Sequence, residues 1–123
     1  MQSFIRKGIR DLAGLINDTK PKEVISKPIQ GSEKFYRDRL AKRLNGQTEV
    51  NTSVGRIDIV TKTEIIELKN AKNWKGAIGQ IKCYGHHYPN HRQRIHLFGE
   101  ITKSSLEEIQ KTCKKENILL TWE

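Results

Sequence analysis

Residues 55–60, Gly55-Arg56-Ile57-Asp58-Ile59-Val60, are followed after a short polar break by Ile65-Ile66-Glu67-Leu68-Lys69. Both runs are rich in β-branched residues, and the break between them is short enough for a tight connection, so they predict a β-hairpin. A turn centred between Lys62 and Thr63 sets Asp58 directly opposite Glu67. Strict alternation then sends Ile57, Ile59, Ile66 and Leu68 to one face, and Arg56, Asp58, Val60, Ile65, Glu67 and Lys69 to the other. Two carboxylates facing each other across a ladder have Cβ atoms about 5 Å apart and repel. Something must offset that repulsion.

Two readings of the charged face stay open at this level. It is a salt-bridged surface, or it holds a divalent cation such as Mg²⁺, which prefers hard oxygen ligands and one or two carboxylates. Val60 and Ile65 share the face, which implies that it is covered. A covered carboxylate pair belongs to a functional site more often than to a surface.

Composition narrows the partner. The chain has 123 residues, with 23 Lys+Arg against 14 Asp+Glu and a net charge of +9. That length suits one domain with one modest core. The positive charge favours a polyanion, nucleic acid first and an anionic membrane second, because neutralised phosphates release counterions. No run approaches the roughly 20 apolar residues that cross a bilayer, and the N-terminus lacks an apolar secretion signal. Cys83 and Cys113 have no metal or disulfide spacing. A soluble, intracellular protein with reduced thiols is expected.

Along the chain, residues 4–16 carry Phe4, Ile5, Ile9, Leu12 and Ile16 at helical intervals. Pro21 and Pro28 punctuate a connector over residues 19–31. A helix is expected from residue 32, with Ser32 as N-cap, Gly46 as stop, and Tyr36, Leu40 and Leu44 inward. Glu33 shares that inward face, while Lys34, Arg39, Lys42 and Arg43 line the other. Strands are expected over residues 48–54, 56–61 and 64–69, then a helix over 74–88 and a strand over 93–99. A helix over 104–117 with a Ser104/Glu107 capping box and a strand over 118–122 complete the order α-α-β-β-β-α-β-α-β. Residues 1–31 form an appended helix and linker, and residues 32–123 form the core domain.

Gly-Arg-Ile-Asp followed by Ile-Ile-Glu-Leu-Lys resembles the PD-(D/E)XK nuclease superfamily. Asp58 matches its first acid and Glu67-Leu68-Lys69 its E-x-K. Gln80 and Tyr84, four residues apart on one helix face, are similar to the Q-x-x-x-Y motif of the RecB-like branch. The likeness covers residues 32–99, and the Pro before the first acid is missing. It implies an α/β fold like that of restriction endonucleases, with a mixed central sheet flanked by helices, and Mg²⁺-dependent hydrolysis of DNA, Mn²⁺ substituting. It implies Asp58, Glu67 and the Leu68 carbonyl as metal ligands, with Glu33 as a third acid and Glu49 as its fallback. Lys69 and Gln80 join the catalytic set. Arg56, Lys72, Lys75 and Tyr84 are expected to contact DNA.

Other readings compete. Cleavage is expected to be endonucleolytic, with exonuclease action or four-way-junction resolution by a homodimer as alternatives. The N-terminal helix offers an interface for such a dimer. From another class comes a DNA-binding module without catalysis, and RNA binding follows from charge alone. Cys83, His86, His87 and His91 invite a zinc reading, opposed by Pro89 within the segment. Trp74 and Trp122 are candidates for base stacking, against core packing.

Overall fold

The computed structural model describes residues 23–27 and 29–123. The helix expected over residues 4–16, and the dimer interface expected on it, lie outside the described residues. The elements are α1 (Glu33–Leu44), β1 (Gln47–Thr52), β2 (Gly55–Val60), β3 (Glu64–Asn70), α2 (Trp74–Gly85), β4 (Arg92–Phe98), α3 (Lys103–Lys115) and β5 (Leu119–Trp122). From α1 onward their order is the one the sequence predicts. A 3₁₀ turn, Ala71–Asn73, leads from β3 into α2.

The five strands form one sheet in the order β1-β2-β3-β4-β5. β1 and β3 flank β2 antiparallel, whereas β4 runs parallel to both β3 and β5. Parallel neighbours need crossovers, and α2 and α3 supply them on one face of the sheet. Ile57, Ile65, Ile81, Ile95, Leu97 and Ile109 are among the residues that fill the core on that face. On the opposite face α1 packs Tyr36, Leu40 and Ala41 onto Ile59, Ile66, Leu68 and Phe98. Burying each large aliphatic side chain contributes about 1.5–3 kcal/mol, so the central strand β3, apolar on both faces, anchors both cores.

Local chemistry explains the helix ends. Ser32 Oγ accepts the Phe35 N–H at 3.2 Å, the N-cap that the sequence predicts. The stop falls one residue early, because Asn45 takes the left-handed conformation at φ 56° that Gly46 was expected to supply. The capping box expected at Ser104 is displaced: Thr102 caps α3 by accepting the Ser105 N–H at 3.2 Å. α2 ends at Gly85 rather than running on to Tyr88. Among the described residues, no helix is long and apolar enough to cross a membrane.

The hairpin has the expected register, with Ile59 opposite Ile66 and Val60 opposite Ile65. Its faces depart from simple alternation. Ile57 joins the core under α2 while Ile59 joins the core under α1, although the sequence sends both to one side. The break falls at Asp58. Opposite it in β1, Glu49 holds a left-handed φ of 53°, a conformation that distorts an L-residue strand.

Candidate active site

Asp58 sits where the regular pairing of β2 with β3 stops. Its Oδ2 accepts the backbone N–H of Leu68 at 2.8 Å, so a side chain replaces a strand partner. This fixes the carboxylate against β3, next to Glu67. Glu67 is only 3% exposed, and its Oε1 is buried with no hydrogen-bond partner among the described residues. Burial, reinforced by the Asp58 charge, pushes the Glu67 carboxyl up to about 9. Burial also raises Asp58, although the Leu68 N–H and the Lys69 charge pull it back.

The Glu67 Oε1 is thus a buried polar atom that no other described residue satisfies, on a carboxyl whose neutral form burial favours. Asp58 and Glu67 offer the hard oxygen donors that a divalent cation takes, and such a cation would favour the ionised form of Glu67. Glu33 does not face inward as the sequence predicts. It is exposed in the first turn of α1, yet within reach of the site's field, since burial and the Asp58 charge raise it while Lys69 and Arg37 lower it. Among the described residues, no three His, Cys, Asp or Glu side chains gather closely enough to hold an ion. Two carboxylates meet here, and Glu33 stays at the rim.

The fallback acid is committed elsewhere. Glu49 Oε2 pairs with Arg37 at 2.6 Å, and its Oε1 lies 3.6 Å from Arg56. Arg37 is a residue the sequence reading missed. It sits one helical turn after Glu33 and acts on both Glu33 and Asp58. The spacing of four from Glu33 was the available signal. Arg56 is largely exposed apart from its Glu49 contact.

α2 brings the second motif to the same place. Tyr84 is buried, and burial followed by the charges of Glu67 and Asp58 pushes its hydroxyl up. A Cβ on Gly55 would stand 2.9 Å from that hydroxyl, so Gly55 is the notch into which Tyr84 fits. One turn earlier, Gln80 shares a cleft of about 660 Å³ with Lys69, Lys72 and Lys75. The expected catalytic and DNA-contacting residues thus gather around one end of β2 and β3, with Arg56 and Glu33 at the edge. Cys83 is exposed and Cys113 buried, both as free thiols.

Comparison with known proteins adds relatives of another description. The chain is similar to three KilA-N domain-containing proteins of Acanthamoeba polyphaga mimivirus. Two are 41% and 42% identical over 88 residues, 72% of this chain, and a third is 30% identical over 119 residues, 97% of this chain. The chain spans only about a quarter to a third of their lengths, 35%, 24% and 32% respectively. None of the three is named for a nuclease. No protein-family model and no solved structure matches the chain.

Proposed function

We propose that the chain is a metal-dependent nuclease domain that hydrolyses DNA phosphodiester bonds, with Mg²⁺ or Mn²⁺ as cofactor. The observation that carries the reading is the buried Glu67 carboxyl, orphaned at Oε1 and held neutral beside Asp58. Asp58 is tied to the Leu68 N–H, but the Glu67 oxygen left without a partner costs free energy in the fold by itself. That arrangement is explained by a ligand that needs both acids.

In this reading Asp58, Glu67 and the Leu68 carbonyl would hold the cation, with Glu33 at the rim adding negative charge to its surroundings. A divalent cation there supplies Lewis acidity toward a phosphoryl oxygen. Lys69 orients the attacking water and stabilises the charge that grows on the phosphate as the P–O bond to the leaving group breaks. Gln80 steadies Lys69 across the cleft. Arg56, Lys72 and Lys75 hold the strand by its phosphates.

A second reading, DNA binding without cleavage, is favoured by the viral relatives, which are named for a domain and not for a reaction. The two separate in one experiment. Labelled duplex, single-stranded, flapped and four-way-junction DNA is incubated with Mg²⁺, Mn²⁺ or EDTA, using the wild type and Lys69→Ala. Cleavage that requires metal and falls by about 10²–10³-fold in Lys69→Ala supports the nuclease. Tight binding in EDTA with no product in either metal supports the binding module instead.

A further inference from the structure

The cleft beside Lys69 is built for more than phosphate. Trp74 opens α2 and is half-buried: it leans on the core under α2 and also lines the cleft with Lys69, Lys72, Lys75, Gly76 and Gln80. The Lys75 ammonium lies 5.8 Å from the centre of the indole. An indole in a cationic groove is the usual platform for a nucleobase, because stacking uses a π-face while the lysines follow the backbone.

The groove continues along α2. Gly79, Gln80 and Tyr84 line a second hollow with Val54, a residue 57% exposed at the β1–β2 turn. A Cβ on Gly76 or Gly79 would meet nothing within 4 Å. Neither glycine is required by packing inside the chain, and each weakens the helix relative to alanine. Their absent side chains leave the floor of the groove open to a ligand.

We propose that this groove takes an unpaired DNA strand, with one base stacked on Trp74 and the sugar-phosphate backbone crossing Gly76 and Gly79. The inference rests on the nuclease reading for the position of the cleaved phosphate, beside Lys69. Bases inside a continuous duplex already stack on one another and offer no free face to an indole. The substrate class is therefore DNA with single-stranded character at the cut: a free strand, a flap, or the branch of a junction.

The test is binding in EDTA, where nothing is cut. Trp122→Phe leaves Trp74 as the one remaining indole, since the chain holds two tryptophans. Oligothymidylate should quench its fluorescence, and a blunt duplex of equal length should not. Trp74→Leu should weaken oligothymidylate about tenfold or more, the scale of one lost stack, and leave the duplex unchanged. Gly76→Ala with Gly79→Ala keeps the proposal falsifiable if Trp74→Leu fails to fold: this variant should melt no lower than wild type yet lose oligothymidylate by a similar factor. Equal affinities for both DNAs, or unchanged binding by either variant, overturns the groove. Failure of cleavage in both Mg²⁺ and Mn²⁺ with these binding results intact overturns the nuclease reading and leaves the strand groove standing.

Discussion

The backbone N–H of Leu68 donates to Asp58 Oδ2 across 2.8 Å, so the first acid of the site also completes the main-chain hydrogen bonding of β3. Asp58 has two roles that substitution separates. Asp58→Asn keeps an acceptor for Leu68 and should hold the melting midpoint near wild type, while removing the charge that the proposed cleavage needs. Asp58→Ala should abolish cleavage and also cost about 1–3 kcal/mol, the penalty for a buried donor left unpaired. Chemical denaturation of the two variants side by side measures the difference.

Glu67 gives the site a pH signature. Its folded carboxyl lies near 9 against an ordinary 4.5, with burial the leading cause and Asp58 the second. A folded state that holds its proton more tightly than the unfolded chain is favoured at low pH, and that advantage disappears as pH rises through the interval. In EDTA, wild type should therefore lose stability between about pH 5 and pH 8 relative to Glu67→Gln. Adding Mn²⁺ or Mg²⁺ should restore the wild type and leave the variant unmoved. A melting midpoint indifferent to cation in both would remove the cation from the site.

Gly55 and Tyr84 are fitted to one another. Gly55 holds φ 138°, open to glycine and strained for other residues, and a Cβ would press on the Tyr84 hydroxyl at 2.9 Å. Gly55→Ala should cost roughly 1–3 kcal/mol. Combining it with Tyr84→Phe relieves the contact and leaves the backbone strain, so a double-mutant cycle divides the two. A coupling near zero would mean that strain alone is responsible.

His96 reports from the other side of the sheet. It is 4% exposed, its Nε2 lies 2.8 Å from Glu123 Oε2, and its Nδ1 lies 2.7 Å from the Thr121 hydroxyl. A neutral ring satisfies both, with Nε2–H donating to the carboxylate and Nδ1 accepting from the hydroxyl. Burial lowers its affinity for a proton more than Glu123 raises it. As pH falls below the ordinary value of 6.5 the unfolded chain takes up a proton that the folded chain resists, and stability falls. The wild type should lose more stability than His96→Gln as pH falls from about 7 to about 5. Parallel stability curves for the two would reject this assignment.

The sequence determined the order of elements from α1 onward and the pairing of the hairpin at Ile59–Ile66 and Val60–Ile65, because each is written in a local period. Alternation of β-branched residues specifies strands, and a short polar break specifies which residues face each other, so Ile59 falls opposite Ile66 as read from the chain. Likewise the spacing of four puts Gln80 and Tyr84 on one side of α2. Tertiary structure decided what periods cannot express. Ile57 and Ile59 part to different cores because the strand is distorted at Asp58, opposite the left-handed Glu49. The spacing to Tyr36 assigns Glu33 inward, yet as the first residue of α1 it is exposed. Arg37 became part of the site only when α1 was laid across the sheet and brought it to Glu49 at 2.6 Å. The charge state of Glu67 is likewise a property of the assembled molecule: it depends on how much water two cores exclude and on an Asp58 brought close by folding.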